Sequence, residues 1–558
     1  MKEKFWHKSY PPDVNRSIDY EKVTIPEALT RSAKKFPKKV ALNFMGKKIS
    51  FQEFDELVNR FAKALIDLGV KEGDKVALIL PNIPQAFIAN LAIMRIGAVA
   101  AQNNPLYTER ELEHQFNNSD AKIAVTLTLL LPRILTVMPK TKIEKVIVCH
   151  IQSFLPFPKK QLFPIVKKEM CKEIEPTDNI LIFKDLISKY SDKPIENKSK
   201  WDELAAIIYT GGTTGASKGV MLSHKNNSVS VQQFDEWFTG MKSGEESMVG
   251  TYPLFHSAGF STSMNLMIWK AWENLIMIRP EPKAIIELLK KHKPRFLPGI
   301  PTIFVGLLSN PEFRKLDLSY IRAFISGGAP LPEDIIRELR DLTGATILEI
   351  YGSTETAPLI AANPFDGKIK PRTVGLPAPD TDIKIVDPAT GKKECKIGEA
   401  GEILVKGPQV MMGYCKNEEE TKKVLKGGWY YTGDIGFFDE DGYLTLVDRK
   451  KDLIIASGYN ISPVEIDNVL FDHPKILEAC VIGVPDKYRG ETVKAFIVVK
   501  KGEVLTEEEV VNYCKENLAA YKVPKLVEFV DELPKSVVGK ILRRKLREME
   551  HDKSVKKR

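Results

Sequence analysis

Seven residues, Asp74–Leu80 (DKVALIL), read as a strand buried in a core. The next segment, Pro84–Ile96, repeats its apolar residues at helical spacing, with Phe87, Leu91 and Met94 on one face and Gly97 as the stop. Ala98–Asn103 (AVAAQN) is a second strand. Thr108 to Glu111 (TERE) is a capping box that opens another helix, and Lys122–Thr126 (KIAVT) is a third strand. Parallel strands need a crossover between them, so this alternation calls for a parallel sheet with helices on both faces. Similar alternation recurs from Trp201 to about Pro358.

The texture changes after Gly375. Short strands (DIKIVD, GEILVKG, GYLTLVD) separated by Gly and Asp turns predict a small β subdomain up to Val447. Capping boxes at Ser462–Glu465 and Thr506–Glu509 then flank strand-like ILEACVIGV and VKAFIVVK, which predicts a second α+β unit. The expected fold class is α/β: a large N-terminal domain of parallel-rich sheets covered by helices plus a small β subdomain (1–448), and a small α+β C-terminal domain (452–558). The charged stretch Asp448–Asp452 (DRKKD) is the expected hinge, centred on 449–451.

Composition narrows the partners. With 558 residues, 43% hydrophobic and 28% charged, the chain can bury large cores. Its net charge of +9 permits an anionic ligand or membrane surface but requires neither. The cysteines, at 149, 171, 395, 415, 480 and 514, form no C-x-x-C pair, which argues against a zinc site or disulfide framework and fits a reducing compartment. The opening MKEKFWHKSYPPDV lacks the apolar core of a signal peptide, and the closing VKKR is no peroxisomal address. No apolar run reaches the roughly 18 residues of a membrane span. A cytoplasmic location is expected, at most peripheral to the inner face of the membrane. Phe154–Lys168 (FLPFPKKQLFPIVKK) interleaves apolar and basic residues and is the candidate for such contact; its default reading is a solvated connection. The basic C-terminal tail interleaves acidic residues and offers no aromatic for base stacking, so no nucleic-acid partner is expected. A homodimer is left open.

Ile207–His224 (IIYTGGTTGASKGVMLSH) is rich in Gly and Thr and carries Lys218, as phosphate-cradling loops do. The Walker spacing fails, since five residues on from Gly211 and Gly212 stand Ala216 and Ser217, and G-x-G-x-x-G fails too. Both of those loops lead into a helix. Here strand-like Ala205–Tyr209 leads in and Gly219–Leu222 leads out, so no helix dipole stands behind the loop. A plain surface hairpin is the bland alternative. Four further islands stand out: Tyr252–His256 (YPLFH), Ile325–Pro332 (ISGGAPLP), Glu349–Thr356 (EIYGSTET) and Gly428–Gly436 (GWYYTGDIG), the last expected to hold Asp434 in a tight turn. Taken singly, His256 reads as a packed histidine, Glu355 as a surface carboxylate and Asp434 as a turn residue.

Taken together and in this order, the islands make the chain resemble, over essentially its whole length, the adenylate-forming superfamily of acyl-CoA synthetases, peptide-synthetase adenylation domains and beetle luciferases. It is most similar to long-chain fatty acyl-CoA synthetases, through NPLYTERELEHQ, KGPQVMMGY, VDRKKDLIIASGYNISPVEI and YKVPKLVEFVDELPKSVVGKILRRKLR. The resemblance implies ATP, a fatty acid and CoA as substrates, with Mg²⁺ as cofactor. It also implies roles. Thr210, Gly211, Gly212, Thr213, Thr214, Gly215 and Lys218 would hold the β- and γ-phosphates. Gly328, Ala329 and Tyr351, with Gly352 and Thr354, would form the adenine side, and Asp434 and Arg449 would hold the ribose. Lys540 would bridge the carboxylate and the α-phosphate, His256 would stand near the reacting carboxylate, and Glu355 with Thr210 would hold the metal. Lys451 would be the hinge about which the small domain turns, bringing Ser457, Gly458 and Tyr459 to CoA. Phe255, Phe260, Pro298 and Gly299 would line the acyl tunnel.

The chemistry requires such an array. A carboxylate is a poor electrophile, and joining it to AMP supplies a leaving group that a thiol can displace. Adenylation first brings two anions together, and unit charges 4 Å apart repel by ~4 kcal/mol at an effective dielectric of 20. Cations must therefore be preorganised there. The alternatives are a ligase for short or aryl acids, a luciferase-like enzyme, a peptide-synthetase adenylation arm, or a non-catalytic acyl-adenylate binder.

Overall fold

The early alternation folds as a parallel sheet. The computed structural model describes every residue except 1–2, 172–173, 211–216, 329–330, 450–451, 453, 457–458, 487–489, 536–540 and 557–558, and among the described residues the strands form four sheets. The first runs in spatial order Gly413–Tyr414, Lys218–Ser223, Leu204–Thr210, Val99–Gln102, Lys75–Ile79, Ile123–Leu127, Lys145–Cys149 and Ile180–Ile182. From Leu204–Thr210 onward its strands are parallel; Lys218–Ser223 and Gly413–Tyr414 are added antiparallel at one edge. The second sheet runs Leu376–Pro377, Ala361–Ala362, Thr346–Tyr351, Ala323–Gly327, Phe296–Gly299, Ser247–Gly250, Glu273–Ile276, Val40–Phe44 and Lys47–Ser50, with a parallel centre.

The helix Pro84–Arg95 differs from the one-faced helix expected: each of its twelve residues is buried. Helices Ile25–Lys35 and Phe51–Asp67 cover the side that the sheet does not, so the polar stripe of an ordinary surface helix is missing. The helix ends on Arg95, whose buried guanidinium donates to Asn59 Oδ1 (2.7 Å), Asp55 Oδ1 (2.6 Å) and Pro26 O (3.3 Å).

Asn82, just before this helix, joins the two sheets. Its Nδ2 donates to the carbonyls of Gly250 (3.2 Å) and Tyr252 (2.9 Å), and its Oδ1 accepts the Leu254 N–H (2.9 Å). The carboxyl ends of the parallel strands in both sheets thus meet on one side of the molecule. Ligands of open α/β sheets bind at that side.

The predicted β subdomain is present as Asp382–Val386, Gly401–Lys406, Trp429–Phe438 and Leu425–Lys426, with Leu444–Arg449 also paired to Trp429–Phe438. Asp434 is a correction. It stands inside the strand Trp429–Phe438, opposite Arg449. Gly433 beside it has φ +72°, a bend within the strand that looks like a turn in the sequence. The C-terminal strands Tyr459–Ile461, Ile454–Ala456, Gly490–Val499, Ile476–Asp486 and Leu526–Phe529 form a sheet with its own apolar core, including Ile454, Ile466, Leu470, Val481, Ile497 and Val510. Ser462 and Thr506 cap the helices Pro463–Phe471 and Glu507–Asn517, as their sequences predict. Within Phe154–Lys168, Lys159–Val166 is a short helix with no buried residue, preceded by a 3-10 turn at Ile151–Phe154. No helix among the described residues is long and apolar enough to cross a membrane.

Candidate active site

The glycine-rich loop joins two antiparallel strands, with Thr210 registered opposite Lys218, as its flanking residues predict. Lys218 forms an ion pair with Glu420 and lies 5.1 Å from the centre of the Tyr414 ring. The Tyr414 hydroxyl donates to Glu355 Oε1 (2.8 Å). The Glu355 carbonyl accepts the Met411 N–H (2.8 Å), and the Met412 and Cys415 N–H groups bind the carbonyls of Met221 (3.0 Å) and Gly219 (2.8 Å). The stretch 411–420 is therefore a strap across the hairpin. It holds a cation and an anion, Lys218 and Glu355, around one phenol. Pairing with Lys218 first, then Lys423, holds the Glu420 carboxyl down at about 2. Burial, then the Glu355 charge, pushes the Tyr414 phenol up, so it acts as a donor.

The strands Ala323–Gly327 and Thr346–Tyr351 lie side by side and end at the same level. Gly328 follows the first with φ +85°, a conformation suited to glycine. Tyr351 ends the second, and its hydroxyl donates to Asp434 Oδ2 (2.8 Å), which joins the β subdomain to this edge. Gly352 has no side-chain room at all: a Cβ there would lie 1.5 Å from the Pro358 carbonyl oxygen. The chain then makes the turn Thr354–Thr356 that presents Glu355.

His256 lies beyond the strand Ser247–Gly250, just before a π-helical stretch, Gly259–Leu266. Its Nδ1 accepts the Ala258 N–H (3.3 Å), which puts the proton of the neutral ring on Nε2. Ser257 Oγ meets Thr354 Oγ1 at 3.1 Å, and Ser261 Oγ donates to the Ala357 carbonyl (2.8 Å). These bonds bring the histidine turn to the Glu355 turn. Phe255 is half-buried and Phe260 wholly buried; Pro298 and Gly299 are also buried. Tyr252 donates to the Gly299 carbonyl (2.6 Å), pinning that strand end.

Of the sequence-predicted site residues, the structure gathers Thr210, Lys218, Glu355, Thr354, His256, Gly328, Tyr351, Gly352 and Asp434 on one edge. Arg449 and Tyr459 have described backbones only, the former registered opposite Asp434. Gly211, Gly212, Thr213, Thr214, Gly215, Ala329, Lys451, Ser457, Gly458 and Lys540 lie outside the described residues. Sequence reasoning missed Tyr252, Tyr414, Glu420 and Asn82. The first two sit in the quoted YPLFH and KGPQVMMGY, while Glu420 and Asn82 carry no local signal and are found only through their partners. Thr210 and Glu355 offer oxygen donors alone, which suits a hard cation. A carboxylate has about four lone-pair sites, so the Tyr414 bond leaves Glu355 with acceptor capacity.

Glu349 stands beside this edge, accepting the Leu331 N–H (3.2 Å). Burial pushes its carboxyl up to about 7 from an ordinary 4.5. The folded chain thus keeps a proton that the unfolded chain releases. Its contribution to stability is full below about 4.5 and is lost as pH rises towards 7. Glu349→Gln is expected to gain on wild type in urea midpoint as pH rises through that window. Parallel midpoints across it would contradict this account.

The profile described as AMP-binding enzyme matches residues 29–415, and that described as AMP-binding enzyme C-terminal domain matches residues 465–540. A Bacillus subtilis (strain 168) protein named long-chain-fatty-acid–CoA ligase is 41% identical over 551 residues, covering 98% of each chain. A protein of the same name from Escherichia coli O157:H7 is 38% identical over 554 residues, again covering 98% of each. The crystal structure of ATP-bound MatB from Rhodopseudomonas palustris matches with a TM-score of 0.84 at 31% identity, covering 95% of this chain and 99% of that one.

Proposed function

The chain belongs to the AMP-binding enzyme family, and from that premise we propose that it joins a medium- to long-chain fatty acid to AMP and then passes the acyl group to CoA. It is an acid–thiol ligase, and its products are acyl-CoA, AMP and pyrophosphate. The observation that supports this reading best is the convergence, from three sheets, of the glycine-rich hairpin, the His256 turn, the Glu355 turn and the Tyr351–Asp434 pair.

In the first half-reaction a carboxylate oxygen attacks the α-phosphorus of ATP, and pyrophosphate leaves with the electron pair of the broken P–O bond. The hairpin with Lys218 holds the departing phosphates. Lys540 holds the carboxylate against the α-phosphate and offsets their repulsion. Asp434, oriented by Tyr351, accepts hydrogen bonds from the ribose hydroxyls. Thr210 and Glu355 would hold Mg²⁺, which supplies charge neutralisation at the phosphate oxygens. In the second half-reaction the CoA thiol gives up its proton to solvent, its sulfur attacks the acyl carbonyl, and AMP leaves with the electron pair of the broken acyl C–O bond. Residues 1–448 carry the ATP and acyl sites. Residues 452–558 turn about the 449–451 hinge at Lys451, withdrawing Lys540 and bringing Ser457, Gly458 and Tyr459 to CoA.

Glu420 competes with ATP for Lys218 in this scheme. The pair is partly exposed, at 27% and 29%, and is worth roughly 0.5–1 kcal/mol. Glu420→Ala is therefore expected to lower KM for ATP about 2- to 5-fold, measured by initial rates; a raised KM would assign Glu420 to holding the hairpin in shape instead.

The test of substrate class is AMP formation from acids of about 2 to 18 carbons and from aryl acids, with and without CoA. Each buried methylene adds ~0.8 kcal/mol, so CoA-dependent turnover should peak sharply at about 10 carbons or longer. Turnover confined to short or aryl acids would keep the mechanism and overturn the fatty-acid substrate.

A further inference from the structure

We propose that the helix Lys159–Val166 and the turn before it dock on the surface of an anionic lipid bilayer. Phe157 is 82% exposed, Ile165 77%, Val166 72% and Leu162 51%. Single exposed apolar side chains are ordinary, but a cluster within one short segment marks an interaction site. The helix has no buried residue, while Phe163 packs on the core and Ile151 and Phe154 beneath are buried. The apolar side chains therefore project from a fixed base.

The charges select the partner. Lys159, Lys160, Lys167 and Lys168 flank the apolar residues, and Phe154–Lys168 contains no Asp or Glu. Among the described residues none of these lysines forms an ion pair. Lys159 donates to the Met45 carbonyl (2.7 Å), which brings the 43%-exposed Met45 alongside. Aliphatic and aromatic tips ringed by lysines, whose stems can lie along apolar surface while their ammonium groups reach phosphates, match an anionic interface. Each such lysine near an anionic surface should raise partitioning about fivefold.

The position gives docking a purpose. The patch follows the carboxyl ends of Lys145–Cys149 in the first sheet and touches the turn after Val40–Phe44 in the second. The His150 carbonyl accepts from Gln85 Nε2 (2.9 Å), three residues from the Asn82 that holds the approach to His256. The patch and the acid site share one side of the molecule, so a long-chain acid can enter from the bilayer. That coupling rests on the fatty-acid reading; docking itself does not.

The test is flotation of the full chain with vesicles of phosphatidylcholine alone or with about three parts in ten phosphatidylglycerol, beside turnover of oleate presented in detergent or in those vesicles. Wild type should bind the anionic vesicles and not the neutral ones. Phe157→Ser with Ile165→Ser, and separately Lys160→Glu with Lys167→Glu, should each reduce binding at least tenfold while leaving turnover in detergent unchanged. Wild type that binds neither vesicle, binds both equally, or binds no better than the variants overturns the docking site. Lost binding with undiminished turnover of vesicle-borne oleate overturns the coupling alone. Vesicle binding without turnover of oleate in either format sinks the fatty-acid reading and the coupling, and leaves docking supported.

Discussion

Lys540→Ala is expected to slow acyl-adenylate formation by about 10²- to 10³-fold, the usual cost of losing one preorganised group at a centre of developing charge. The reason is the encounter of a carboxylate with a triphosphate, which no neutral side chain relieves. The same variant should still make the thioester from supplied acyl-adenylate at close to the wild-type rate, because that step brings no second anion to the α-phosphate. Pyrophosphate exchange into ATP measures the first step, and acyl-CoA appearance from the synthetic adenylate measures the second. Lys540→Gln, which matches the charge lost on acetylation, should behave like the alanine variant. Equal loss of both steps would mean that Lys540 supports the fold or the hinge and does not stand over the first reaction only.

Arg95→Met carries the largest expected loss of stability. It removes the guanidinium from a pocket in which Arg95 and Asp55 have side chains only 3% and 13% exposed, and it strands the Asp55 carboxylate. Removing one member of a buried pair costs ~3–5 kcal/mol, mostly through the charge left behind. The double variant Asp55→Leu with Arg95→Met should recover much of that loss, since no charge is left to bury. Urea unfolding of both variants decides the matter. A double variant as unstable as the single one would show that the arginine matters for packing and for its bonds to Asn59 and Pro26, more than for the pair.

Much of the fold is legible in the sequence because its signals are local. Alternating apolar runs, capping residues at Thr108, Ser462 and Thr506, and glycine stops such as Gly97 each act over a few residues, and the elements they predict are present. The site is legible in another way. Thr210, His256, Glu355 and Asp434 are unremarkable singly and acquire meaning through their order. What stays hidden is long-range. Glu420 is far from Lys218 in sequence, and nothing near either residue announces their pair. Asp434 reads as a turn residue from its type and its position in GWYYTGDIG, whereas strand pairing with Leu444–Arg449 decides its place. Pro84–Arg95 looks one-faced because its periodicity cannot reveal that two other helices cover its back.

The meeting of both sheets' strand ends on a single side separates two kinds of heritable change. Residues that keep the chain folded sit between the layers, whereas those that the proposed function brings to small molecules hang from the rim, at half-buried positions such as Phe255, His256, Ala258 and Glu355. Substitutions at these half-buried positions can reshape the acid that is accepted with little disturbance to the apolar interior, whereas the neighbouring Leu254, Ser257 and Thr356 are buried and belong to the packing. A lineage built on this scaffold can therefore drift from one carboxylic acid to another while its melting behaviour stays nearly constant.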